Sequence, residues 1–327
     1  MEEKVDVLLT TYNTNIEYLK KQIESILNQT YKSFNLIISD DCSTNKKVTE
    51  LLNEYKDKDN RITLYIQESN LGYNKNFEFL LKKSTSNYIM FADHDDVWYP
   101  GKIEKSYKKI KEKNMDLVYC NCNLINENGD IIKQNYFKYK NVPLIEGKSK
   151  LAISRCIGIG CAQIITKSVK ERMLPFLEEV IAHDWLASFI ANEERGLTYI
   201  EAPLFGYRLH DSNVFGGRNL AQNLAKWKQQ NGKTFEAYLK YRNEKVIDMA
   251  YLFGAIMEKK YSKIDENKKY LEEMIKYYEN LKKSKYINIH IFKYFRFLAG
   301  KNLLKKMIKE IIIFHFPIIG FLNFLIV

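Results

Sequence analysis

Short apolar runs alternate with amphipathic stretches along the first third of the chain. Residues 5–12, with Val5, Val7, Leu8 and Leu9, predict a buried strand. Residues 16–27 follow with Ile16, Leu19, Ile23, Ile26 and Leu27 at helix spacing. The same alternation predicts strands at 34–39, 62–66 and 88–92, and helices at 46–55 and 74–81. Repeated strand-helix-strand units predict an α/β fold, with a mixed, mainly parallel sheet and helices on both faces. Further on, the pattern predicts a helix at 101–113, a strand at 117–121 and a hairpin turning at Asn128-Gly129. A strand at 161–166, a helix at 184–192 and two short strands within 197–207 complete this part. From about Asn219 apolar residues recur at helix spacing among many lysines, which predicts a helical C-terminal region.

In an open sheet of this kind, ligands bind beyond the carboxyl ends of the strands. Three polar clusters fall there: Thr10-Thr11-Tyr12-Asn13, Asp40-Asp41-Cys42-Ser43 and Asp93-His94-Asp95-Asp96. The last places three carboxylates within four residues. Asp93 and Asp95 lie two apart, so in an extended chain both face one ligand. Such a group suits a hard divalent cation, Mg²⁺ or Mn²⁺, which also bridges to phosphates. Helix capping accounts for Asp96 at most. Asp40 can accept from a nucleobase imide, with Ser43 or Thr44 capping the next helix. The 70–76 segment, with Gly72 before a helix, reads as a phosphate or base contact or as a plain turn. Asp184 lies beside Trp185, as an acid in a sugar cleft or as an N-cap. Arg208 and His210 pair a cation with an imidazole, which suits a diphosphate.

Composition adds location more than class. The 327-residue chain carries a net charge of +11. Between residues 281 and 310 nine basic residues face one acid, so most of the excess sits near the C-terminus. The rest is close to balanced, and no nucleic-acid module is present, which argues against a nucleic-acid partner. The five cysteines match no zinc or redox spacing and imply a reducing, cytosolic compartment. The N-terminus runs straight into the first strand, so no signal peptide is expected.

Taken in order, these clusters resemble family 2 of the inverting glycosyltransferases, of GT-A type, over about residues 5–217. Leu8-Leu9-Thr10-Thr11-Tyr12-Asn13 resembles the family's first strand, whose end touches the nucleoside, here through Thr10 and Tyr12. Ser25-Ile26-Leu27-Asn28-Gln29-Thr30-Tyr31 resembles its first-helix ending. By the same resemblance Asp40 binds the base, and Asn70, Gly72 and Asn76 belong to the nucleotide pocket. Asp93 faces the ribose and diphosphate, Asp95 holds the metal, and Asp184 is the catalytic base. His210 is a metal or diphosphate contact, and Arg208 lies beside it. One departure is visible: the base segment is usually Glu-Asp and here reads His183-Asp184. The Gln-x-x-Arg-Trp signature of processive synthases is absent, which implies single or limited transfer. Residues 91–98 are similar to the surface-polysaccharide branch, where rhamnosyltransferases are common. The implied donor is dTDP-rhamnose or a UDP-sugar, and the implied acceptor a hydroxyl of a glycan or lipid-linked glycan.

The expected organisation is a catalytic domain at 1–217 and a helical region at 218–327. Residues 311–327 carry no charged side chain. Seventeen helical residues reach about 25 Å against a ~30 Å hydrocarbon core, and Pro317 and Gly320 interrupt them. An interfacial or re-entrant helix is therefore expected, with the upstream lysines on anionic cytoplasmic lipid and the enzyme peripheral on the inner membrane face. The alternative is packing on the domain or on a partner subunit of a homo-oligomer. The rival readings are a non-catalytic GT-A-like carbohydrate-binding or assembly protein and a nucleotidyltransferase. The latter needs a glycine-rich basic loop after the first strand, which residues 10–17 lack.

Overall fold

A computed structural model describes residues 3–154, 156–178, 180, 182–210, 227–244 and 254–283. The chain divides into two compact units, Met1–Arg208 and Leu209–Val327. The expected boundary at 217/218 lies outside the described residues, as does the apolar tail at 311–327.

The first unit begins with β1 (Val5–Thr11), α1 (Ile16–Leu27), β2 (Phe34–Asp40), α2 (Lys46–Lys58), β3 (Ile62–Ile66), α3 (Tyr73–Lys83) and β4 (Tyr88–Ala92). All seven residues of β1 are buried, as befits a central strand covered by helices on both faces. The sheet order is β3-β2-β1-β4-β8 (Gln163–Thr166)-β6 (Leu117–Ile125)-β9 (Leu197–Arg208)-β5 (Val97–Trp98), with β7 (Ile131–Lys133) on β6. The first four strands are parallel, and Thr11 pairs with Asp40 while Leu9 pairs with Ala92. Their carboxyl ends therefore finish on one rim, and the loops that follow share it.

The other half is mixed. It holds β5 (Val97–Trp98), β6 (Leu117–Ile125), β7 (Ile131–Lys133), β8 (Gln163–Thr166) and β9 (Leu197–Arg208). Helices α4 (Lys102–Lys113), α5 (Tyr136–Lys140), α6 (Lys150–Ser154), α7 (Lys167–Met173) and α8 (His183–Glu193) connect them. β8 runs antiparallel between β4 and β6, whereas β9 is parallel to β6. The β6–β7 hairpin turns where expected, with Gly129 at φ 98°.

Several local expectations change. β9 is one strand of 12 residues, not two. Its pairing with β6 shifts register at Pro203, a residue that sheets tolerate at bulges. β6 continues past Asn121 because that amide is buried and bonded to Asn135 Oδ1 and Glu201 O. Three caps also differ. α2 is capped by Asn45, whose side chain accepts from Lys47 N, and not by Ser43 or Thr44. α4 follows Gly101, so Asp96 caps nothing. Ala182 holds the N-cap position of α8, which puts Asp184 inside the first turn.

Described parts of the second unit are helical: α9 (Phe235–Arg242), a π-helical turn (Met257–Tyr261) and α10 (Asp265–Lys283). Tyr238 is buried there among Trp227, Phe235, Leu239 and Tyr241. Among the described residues no helix is long and apolar enough to cross a membrane.

Candidate active site

The acidic cluster is a turn between β4 and β5, not an extended run. The turn swings Asp96 in beside Asp93, and oxygens of both lie with Cys161 Sγ within 4.8 Å of one another. The extended chain expected through Asp93–Asp95 is thereby corrected to a turn. Asp95 remains buried nearby, and its charge still acts on both neighbours.

Helix α1 holds this turn in place. Gln22 Nε2 donates to Asp93 O at 2.8 Å, and Ser25 Oγ accepts from Trp98 N at 2.9 Å. Gln29 donates to Tyr99 O at 2.9 Å and accepts from Ile103 N at 3.2 Å. Gln22 and Ser25, three apart, share one face of α1, and Gln29 lies just past the helix end. That polar stripe on an otherwise apolar face was the available signal for a buried clamp.

Arg208 holds the turn from the other side. It is fully buried, and Nε donates to Asp95 O at 2.7 Å while its N–H donates to Asp96 Oδ1 at 3.1 Å. One terminal nitrogen donates to Asn126 O and Glu127 O in the β6–β7 turn, at 2.9 and 2.7 Å. The guanidinium also lies over the Tyr18 ring, 4.4 Å from its centroid. Through Nε and one terminal nitrogen Arg208 braces the turn, a role that the sequence reading, which expected a diphosphate contact, did not foresee. His210 is half-buried and belongs to the second unit, described apart from this turn.

Burial pushes the Asp93 carboxyl up to about 6, and the Asp95 charge adds to the effect. Burial and then Asp95 and Asp93 push Asp96 well above the ordinary range. Crowded, dry carboxyls resist simultaneous ionisation unless a cation joins them. One cation is built in below: Lys102, fully buried, donates to Cys161 O at 2.6 Å and lies over Trp98 and Phe205. Asp96 Oδ2 is buried without a hydrogen-bond partner. That orphaned oxygen and the two-carboxylate group fit a divalent cation, with Asp93, Asp96 and Cys161 as the candidate ligands.

On the neighbouring rim the loops after β1 and β2 are stitched together. Asp40 is buried and accepts from Thr11 Oγ1, Ser43 Oγ and Ser43 N at 2.8, 2.6 and 2.8 Å. Asn13 Oδ1 accepts from Thr44 N and Asn45 N at 2.9 and 3.2 Å. Thr10 is buried, while Tyr12 is 47% exposed at the end of β1, a free ring face beside the rim. Gly72 precedes α3 at φ 81°, a conformation that favours glycine. Asp41, absent from the expected set, accepts from Leu71 N and Gly72 N at 2.7 and 2.9 Å. Those N–H groups are therefore spent on a carboxylate of the protein itself. Asn70 donates to Asp41 O at 3.2 Å, and buried Asn76 donates to Ser39 O at 3.1 Å. Asn70 and Asn76 thus tie the loop before α3 and α3 itself to the end of β2.

Asp184 stands in the first turn of α8 and joins the same field, since its charge raises Asp93 and Tyr73. Its backbone carbonyl accepts from Gln163 Nε2 at 3.2 Å and Ser188 Oγ at 2.9 Å. Burial pushes the neighbouring His183 down to about 4, so this ring is neutral near pH 7. The short 3₁₀ turn at Gly160–Ala162 links the two groups. Cys161 reaches the acidic turn, and Gly160 touches His183 and Asp184.

Residues 6–174 match the profile of glycosyl transferase family 2. The chain is 32% identical over 227 residues to the uncharacterized glycosyltransferase MJ1057 of Methanocaldococcus jannaschii, across 67% of this chain and 76% of that protein. In fold it is similar to Staphylococcus aureus TarS 1–349 in complex with UDP-GlcNAc, with TM-score 0.57 and 16% identity over 94% of this chain and 81% of that one. It is also similar to the mannosyltransferase PcManGT of Pyrobaculum calidifontis in complex with GDP-Man and Mn²⁺. There the TM-score is 0.52 and the identity 13%, over 87% of this chain and 84% of that one.

Proposed function

The chain belongs to glycosyl transferase family 2, and from that premise we propose an inverting, metal-dependent transfer of a sugar from a nucleoside diphosphate to an acceptor hydroxyl. One observation carries this reading: the carboxyls of Asp93 and Asp96 are crowded together with Cys161, and Asp93 lies within the electrostatic reach of Asp184. TarS with UDP-GlcNAc and PcManGT with GDP-Man and Mn²⁺, similar in fold, support the donor class and the cation.

Asp93 and Asp96, with Asp95 adjacent, would hold the cation, which supplies positive charge to the departing diphosphate. Tyr12, exposed on the rim, offers its ring to the base, and the Asp40 region lies beside it. Asp184 takes the proton from the acceptor hydroxyl. That oxygen attacks the anomeric carbon, and the carbon–oxygen bond to the diphosphate breaks in line. The electron pair leaves with the diphosphate, and the configuration inverts.

The acceptor is a glycan or lipid-linked glycan of a bacterial surface polysaccharide, with dTDP-rhamnose or a UDP-sugar as donor. Support for this finer reading comes from residues 91–98 and the missing processive signature. The basic, apolar C-terminal stretch supports a place on the cytoplasmic membrane face. Liposome sedimentation of the full chain against one ending at Gly300 tests that placement. The activity is tested with a panel of UDP-, dTDP- and GDP-sugars in Mn²⁺, read as release of nucleoside diphosphate. Cation-dependent release from one donor is expected. Release that survives chelation would remove the metal, and none across the panel would remove the transferase reading.

A further inference from the structure

The chain that leads into α8 is gripped from α3. Asn74 Nδ2 donates to Val180 O at 2.8 Å, and Asn74 Oδ1 accepts from His183 N at 3.1 Å. A single amide therefore spans the approach to Asp184. Asn74 lies in the segment that otherwise shapes the nucleotide rim, between Gly72 and Asn76.

Next to Asp184, the His183 ring is packed on two sides. It lies 4.1 Å from the Phe77 ring, tilted by 34°, and meets Phe91 at 4.7 Å and 60°. Phe77 belongs to α3, and Phe91 to the strand that ends at the acidic turn. Both ring nitrogens of His183 are buried with no hydrogen-bond partner. Such burial costs free energy. The ring is held by shape, not by polar bonds.

Gly160 closes the remaining side. A methyl group there would stand 2.7 Å from His183 Nε2 and 3.4 Å from Asp184 Cβ. Gly160 lacks the positive φ seen at Gly158 and Gly72, so its backbone suits any residue. Space alone demands glycine. With Phe77 and Phe91 behind it, the imidazole cannot retreat from an added methyl without moving the first turn of α8.

We propose that Asn74 and Gly160 are positioning residues: acting through His183, they fix where the Asp184 carboxylate stands relative to the acidic turn. The proposal rests on the reading of Asp184 as the base. It makes α3 a shared support, so that the nucleotide rim and the base are set by one element.

The test compares crystal structures and kinetics of the full chain, Gly160→Ala, Gly160→Ala/His183→Ala and Asn74→Ala. Gly160→Ala is expected to displace Asp184 and to lower kcat for UDP release from UDP-N-acetylglucosamine about 100-fold. Calorimetric affinity for UDP should stay within about twofold, because UDP does not use the base. Removing the ring in the double variant makes room, returns Asp184 and restores kcat at least about tenfold over the single variant. Asn74→Ala is expected to lower kcat about tenfold, again without loss of UDP affinity. An unmoved Asp184 in Gly160→Ala would overturn the proposal. So would a double variant no better than the single one, or an Asn74→Ala defect confined to KM. If Gly160→Ala does not fold, Asn74→Ala decides alone. If the unaltered chain turns over no donor, the transferase reading fails, and the displacement of Asp184 in the crystals still decides the positioning claim.

Discussion

Carboxylates are buried at both ends of the sheet, yet the two ends treat them oppositely. At the amino ends of the strands Asp6 accepts from Asn35 Nδ2, Ser84 Oγ, Thr85 N, Ser86 N and Ser86 Oγ, all within 2.9 Å. Burial pushes its carboxyl up, but those donors outweigh it and the net shift is down. Asp116 behaves alike, with Thr166 Oγ1 at 2.6 Å and three nitrogens of Arg195 at 2.7–3.1 Å. At the carboxyl ends Asp93 and Asp96 have burial and then the Asp95 charge against them, and both are pushed up. Burial is common to the two ends and does not distinguish them. Satisfied carboxylates hold a fold together, whereas crowded and underbonded ones are poised for a cation.

The comparison can be broken by substitution. Arg208→Met strips side-chain donors from the carbonyls of Asp95, Asn126 and Glu127, the first in the acidic turn, and keeps the backbone N–H bonded to Asp96. It should cost on the order of 4 kcal/mol in denaturant unfolding, with turnover falling as the turn loosens. A loss below about 1 kcal/mol would show that Arg208 does not brace it. Asp96→Asn should leave folding stability unchanged or raise it, since a crowded buried charge is removed. Turnover should nevertheless fall about 100-fold or more.

Asp6→Asn should do the reverse, costing about 2 kcal/mol of stability with kcat unchanged. The sign at Asp6 follows from its depressed folded value. Its contribution is present above the unfolded pKa, near 3.8, and is lost as pH falls through the lower folded value. The gap between the two chains should therefore close in acid. A gap constant with pH would contradict the hydrogen-bond account of Asp6.

The smallest effect concerns pH at the site. Asp93 is raised to about 6 by burial and by Asp95, so proton and cation compete for it below that pH. Mn²⁺ affinity by calorimetry should fall by up to about tenfold per pH unit as pH drops through about 6, and the raised Asp96 carboxyl adds to the proton competition. Asp93→Asn should make the fall through about 6 shallower, leaving the part that Asp96 contributes. A profile already flat in the unaltered chain would separate Asp93 from cation binding.

The parallel half of the sheet was legible because each strand and helix declares itself within a dozen residues. The polar clusters at the strand ends were legible for the same reason. What the acidic cluster looks like in space was not. The turn that sets Asp96 beside Asp93 is braced by Gln22, 71 residues from Asp93, and by Arg208, 113 residues from Asp95. Arg208 read as a ligand group because a cation near a predicted site invites that role, and only its inward donors reveal the brace. Asp41 was overlooked beside Asp40, since tandem acids give no sign of which one meets the N–H groups of Leu71 and Gly72. His183 and Gly160 matter through shape, which single-residue chemistry does not encode.

The central claim is that the carboxyl end of the sheet is a transfer site, with Asp184 as its base. It is tested most directly by nucleoside diphosphate release in Mn²⁺ from the donor that the panel identifies, for the unaltered chain and for Asp184→Ala. The account predicts at least a ~100-fold loss of kcat in the variant, with affinity for that nucleoside diphosphate unchanged. Equal turnover by the two chains would contradict it.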